Sequence, residues 1–224
     1  MSNAPTIQKH PAHLEALLQQ LDPSPTGQLV FGVDVTASRQ PTWDMATGLT
    51  ARMFEAAAAN GGLEMQLVYY RGDGECVASR WMSDARALTT AMSAVTCRAG
   101  PTQIGRVLNH VRAENARKNV AAAILISDAC EENPSDLYAI ARGLGVPIFL
   151  FQEGADQTVA GIYSELAAIT GGAGARFDTG AAAKLADLLR AVAAFATGGR
   201  KALALEKTAA ARLLLTTAEV RPAP

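Results

Sequence analysis

Apolar residues recur along this chain in two alternating rhythms. Short, nearly unbroken apolar runs occupy residues 29–34, 65–70, 121–126 and 146–151. Runs of this length, bounded by turn signals, read as strands buried on both faces. Between them, apolar residues return every three or four positions, as a one-sided helix requires. Ala46, Leu49, Met53, Phe54 and Ala57 mark one helix, which starts near Pro41 and closes at Asn60-Gly61-Gly62. Ile104, Val107, Leu108 and Val111 mark another. Further helices are predicted over 83–95, 137–144, 159–169 and 183–196. Gly198-Gly199 then separates the last of these from an Ala/Leu helix over 201–216. Near the N-terminus, Leu14, Leu17, Leu18 and Leu21 predict a short helix over 12–21. Arg71-Gly72-Asp73-Gly74 is a hairpin signal, so 76–81 should return antiparallel to 65–70. Residues 175–177 read as a short edge strand. The alternation predicts an α/β fold, a doubly wound, mostly parallel sheet with one antiparallel edge strand and helices on both faces.

The 224 residues suit one domain with short appendages. The expected division is a helix and linker over 1–27, a core domain over 28–197, and a helix and tail over 198–224. With 20 basic against 21 acidic residues, there is no basic excess of the kind that marks a nucleic-acid footprint. The 49% hydrophobic and 18% charged content excludes a disordered chain. No apolar run approaches the roughly 20 residues needed to span a bilayer. The first residues show no signal-peptide pattern. The expected location is therefore the cytoplasm, and the three unpaired-looking cysteines, Cys76, Cys97 and Cys130, are read as reduced.

Chemistry concentrates where strands end. In an open α/β sheet, ligands bind outside the carboxyl ends of the strands. The first run ends in Asp34-Val35-Thr36-Ala37-Ser38, and the third in Ser127-Asp128. Between them, Gly100-Pro101-Thr102-Gln103-Ile104-Gly105 opens a helix with a hydroxyl. Two carboxylates with hydroxyls, and no His or Cys, suit a hard cation such as Mg²⁺, Mn²⁺ or Ca²⁺. Taken singly, Asp34 and Thr102 would pass as ordinary helix or turn caps. Gly171-Gly172-Ala173-Gly174 follows a helix and precedes a strand, the wrong order for a dinucleotide loop.

The three segments in this order resemble the von Willebrand factor type A (VWA) domain and its metal-ion-dependent adhesion site (MIDAS). That family carries Asp-x-Ser-x-Ser after its first strand, a Thr in a Gly-rich loop and an Asp after its fourth strand. Asp34, Thr36 and Ser38 match the first element, with Thr in place of one Ser. Thr102 matches the loop Thr, and Asp128 the last Asp. The likeness extends over about 28–197 and includes the turn 166–172 with Arg176-Phe177. It implies a three-layer, Rossmann-like fold of the bacterial intracellular type. It implies a metal set of Asp34, Thr36, Ser38, Thr102 and Asp128, with one coordination position left for a Glu or Asp of a protein partner. It also implies recognition rather than catalysis. Arg39, Trp43 and Glu131 are the expected partner-binding rim. Two positions depart from the family. Arg39 follows Ser38 where an apolar residue is common, and it would oppose a metal if it pointed inward. Ala129 replaces the usual Gly after Asp128. Two alternatives stand beside this reading. One is a phosphatase or phosphotransfer enzyme on a similar sheet, although a second Asp after Asp34 and a Walker-type loop are both missing. The other is a structural domain with an unoccupied metal site, which Arg39 motivates.

Overall fold

The computed structural model describes residues 26–58, 62–178 and 181–218. The helix expected over 12–21, the close of a helix at 60–61 and the tail beyond 218 lie outside these residues. The described strands are β1 (Gly27–Asp34), β2 (Leu63–Arg71), β3 (Glu75–Met82), β4 (Ala122–Ser127), β5 (Ile148–Glu153) and β6 (Ala173–Phe177). The helices are α1 (Gln40–Ala58), entered through a 3₁₀ turn (Ala37–Arg39), α2 (Ala85–Ser93), α3 (Ile104–Lys118), α4 (Pro134–Arg142), α5 (Gln157–Thr170), α6 (Ala182–Leu205) and α7 (Ala209–Ala218). The strands form one sheet in the order β3-β2-β1-β4-β5-β6. All neighbours run parallel except β2 and β3, which pair antiparallel through the predicted hairpin.

Strand alternation divides the interior into two cores. Leu29, Phe31 and Val33 of β1, Ile124 and Ile126 of β4, and Phe149 and Phe151 of β5 face α1, α2, α6 and α7. Val30, Ala123, Leu125, Ile148 and Leu150 face α3, α4 and α5. Strands β1, β4 and β5 are covered on both sides, which explains why they read as unbroken apolar runs. Helix starts are fixed by local acceptors. The Asp84 carboxylate accepts from Ala87 N (2.8 Å), and Asp156 accepts from Thr158 N and Val159 N. Asn133 does the same for Ser135 N ahead of Pro134 at the first helical turn.

The C-terminal helices meet expectation at one break and add another. Gly199 (φ 61°, ψ −157°) leaves helical geometry, so α6 is two helical segments that meet at a kink there, where Gly198-Gly199 predicts a separation. A second break at Glu206–Thr208, inside the helix expected over 201–216, precedes α7. Buried Ala202 and Leu203 beyond the kink hold the second segment of α6 on the core.

Candidate metal centre

The carboxyl ends of β1 and β4 lie side by side at the middle of the sheet, where the strand order reverses. Asp34 is the last residue of β1 and is 1% exposed. The Ser127 hydroxyl, at the end of β4, donates to Asp34 Oδ2 (2.7 Å). The Tyr70 hydroxyl donates in turn to Ser127 Oγ (3.2 Å). Burial pushes the Tyr70 phenol upward, so it remains a donor. The Thr36 backbone N–H donates to Asp34 Oδ1 (2.9 Å). Burial raises the Asp34 carboxyl above the usual carboxylate range, although the bonds from Ser127 and Thr36 oppose that shift.

Thr102 belongs to a loop that passes tightly over the β2–β3 hairpin. A Cβ at Gly100 would lie 2.0 Å from the Gly72 carbonyl oxygen, so only glycine permits this path. The loop is tied to the segment after Asp128 by two reciprocal bonds. The Thr102 N–H donates to Glu131 Oε2 (2.9 Å), and the Glu131 N–H donates to Thr102 Oγ1 (2.9 Å). Glu132 accepts from Ile104 N and Gly105 N (2.9 Å to the latter) and so caps α3 from a neighbouring loop. These bonds place Thr102 beside the Asp128 segment. Thr102 Oγ1 keeps a further lone pair for a ligand. Asp128 is about one-third exposed.

Four of the five expected metal residues are thus placed on adjoining loops at one end of the sheet: Asp34, Thr36, Thr102 and Asp128. Ser38 lies in the 3₁₀ turn beside Thr36, but its side chain is outside what the structure describes. Among the described residues, no three His, Cys, Asp or Glu side chains cluster as a metal group. The present set is of another kind, two carboxylates supplemented by hydroxyls, and it suits a hard divalent cation.

The rim is where expectation and structure part. Arg39 points inward and is 2% exposed. Its Nη1 donates to Glu153 Oε2 and lies 3.7 Å from Asp128 Oδ2. The Thr42 hydroxyl donates to the same Glu153 oxygen. Trp43 is also buried, and its indole N–H donates to Met92 O (3.2 Å) in the core between α1 and α2. Arg39 closes the 3₁₀ turn and Trp43 lies near the start of α1, both on the inward side, so neither reaches the surface. Glu131 is exposed, but its carboxylate braces Thr102. Sequence reasoning passed over Glu153 and Thr42. The signal for Glu153 was present: Gln152-Glu153-Gly154 closes an apolar strand, as Asp34 and Asp128 follow theirs.

No protein-family model and no curated protein matches the chain in sequence. Solved structures do match in shape. A von Willebrand factor type A protein from Catenulispora acidiphila superposes with a TM-score of 0.56 at 19% identity over 77% of this chain and 43% of that one. The SpRpn10 VWA domain gives a TM-score of 0.56 at 11% identity, over 71% of this chain and 95% of that one. Proximal thread matrix protein 1 from the mussel byssus gives 0.54 at 17% identity, over 81% and 51% respectively, in a structure with a zinc-occupied MIDAS motif. The chain therefore spans about half or less of two of these three relatives. At these identities the likeness establishes the fold, and the chain has the VWA fold.

Proposed function

We propose that this chain is a divalent-metal-dependent protein-interaction module. The observation that carries the reading is the joining of Asp34, at the end of β1, to Ser127, beside Asp128 at the end of β4, with the hydroxyls of Thr36 and Thr102 on the adjoining loops. Asp34, Thr36, Ser38, Thr102 and Asp128 would hold the ion directly or through water. Mg²⁺, Mn²⁺ and Ca²⁺ all suit an oxygen set of this type. The bound ion would supply a Lewis-acidic position for a Glu or Asp carboxylate from a protein partner. The zinc-occupied motif of the mussel byssus protein supports metal binding on this fold.

We read the site as one of recognition rather than of reaction. Asp34 already accepts two hydrogen bonds that hold its carboxylate in place. Among the described residues, no helix is long and apolar enough to cross a bilayer.

Thermal denaturation tests the metal step. At a free Mn²⁺ or Mg²⁺ concentration about 100 times the dissociation constant, wild type should gain about 2.7 kcal/mol, a rise of several degrees in Tm. Asp34→Ala and Asp128→Ala should abolish the rise, and EDTA should reverse it. A wild-type Tm indifferent to both cations and to Ca²⁺, with no heat in calorimetric titration, would refute the reading. A pull-down in Mg²⁺ and in EDTA then isolates the partners that depend on the metal.

A further inference from the structure

We propose that Glu153 is a positioning residue for the metal centre: it holds the Arg39 guanidinium off Asp128 and thereby sets how tightly the centre takes up a divalent cation. The inference rests on the metal-binding reading above and concerns residues outside the five expected ligands.

Arg39 follows the Asp34-x-Thr36-x-Ser38 segment directly and is buried against it. A buried guanidinium must find acceptors, and Arg39 has more donors than it uses. Its Nη1 bonds Glu153, while Nε and Nη2 are buried without a hydrogen-bond partner. Asp128 Oδ2 lies 3.7 Å from the same Nη1, close enough to pair with it as an ion but too far for a hydrogen bond. Two carboxylates therefore compete for one cation. Glu153 prevails because it is 6% exposed, where attraction is less screened, and because Thr42 orients the oxygen that Arg39 meets. Asp128, one-third exposed, stays open to solvent and to a metal.

The charge balance points the same way. Asp34, Asp128 and Glu153 outnumber Arg39, and Glu131 bonded to Thr102 adds to the negative side, so the centre attracts a cation. Without Glu153 that surplus falls by one charge, and the freed guanidinium takes Asp128 as its acceptor. Both changes weaken metal binding. The position that departs most from the family pattern is thus compensated from the end of another strand.

Calorimetric titration of the full chain with MnCl₂ tests this, with circular dichroism as the check on folding. Folded Glu153→Gln should bind Mn²⁺ about 10–100-fold more weakly than wild type, the range typical of removing a group that supports a ligand. Adding Arg39→Met to Glu153→Gln should return the affinity towards wild type, because the competing cation is gone. Unchanged affinity in Glu153→Gln, with wild type binding, overturns the inference and leaves the metal reading intact. Absence of Mn²⁺ binding in wild type and every variant overturns both. Should Glu153→Gln fail to fold, Thr42 decides. Thr42→Val removes the bond that orients Glu153, and Thr42→Ser keeps it. Weaker binding in Thr42→Val than in Thr42→Ser supports the inference, and equal binding overturns it.

Discussion

Asp34 sits in a conflict between burial and charge. Burial disfavours its charge, and a cation at the site would restore the balance. Its folded carboxyl holds a proton more tightly than the unfolded one. Its contribution to stability is therefore complete below the unfolded value of about 3.9 and is lost as pH rises through the raised folded value. Asp34→Asn removes that dependence. The amide can still accept from Thr36 N, and the Ser127 hydroxyl has Ala129 O (3.2 Å) as an alternative acceptor. In EDTA, the Tm of Asp34→Asn should gain on that of wild type as pH rises from about 4 through the raised folded value, and the margin should then level off. The same variant should show no Mn²⁺-induced rise. A margin that is constant across this range would refute the assignment of the effect to the buried charge.

Among the elements, α3 has the most informative start. Gln103 precedes it without a side-chain cap, and Glu132 from the loop after β4 takes two of its first N–H groups. Glu132→Ala leaves these donors to water and should cost about 1 kcal/mol, as the loss of a good helix cap does. It should also weaken Mn²⁺ binding, because the start of α3, two residues after Thr102, loses its tie to the loop that carries Asp128. Glu132→Gln keeps an acceptor and should cost less; denaturant unfolding of both variants provides the comparison. This capping was hidden in the sequence, because it joins residues 104 and 132, and periodicity speaks only to local order. The doubly covered strands were legible for the opposite reason. Ile124, Leu125 and Ile126 must be apolar on both faces, so the pattern betrays its own burial. Asp34, Thr36 and Asp128 were legible as candidates because strand ends are marked in sequence, and Thr102 because Gly100-Pro101 and a hydroxyl mark a helix start. The rim was not. Whether Arg39 and Trp43 turn inward depends on the 3₁₀ turn before α1, and that depends on acceptors far away, at Glu153 and Met92.

Viewed as a whole, the molecule puts its candidate site on the boundary between two cores. Asp34, Ser127 and Tyr70 are anchored on the side of α3, α4 and α5, whereas Arg39, Thr42 and Glu153 are anchored on the side of α1 and α6. Few side chains of a three-layer protein can feel both helical layers, because the sheet lies between them. A cation held at this boundary would tie the two layers to each other as well as to itself. Its effect should therefore appear in the shape of the unfolding transition and not only in its midpoint. In EDTA the two layers are free to loosen at different temperatures, and the van't Hoff enthalpy should fall below the calorimetric one. Saturating Mn²⁺ should bring the two enthalpies together, and scanning calorimetry reads both from one trace. The proposed docking place would then also be the place where the two halves of the fold become a single cooperative unit.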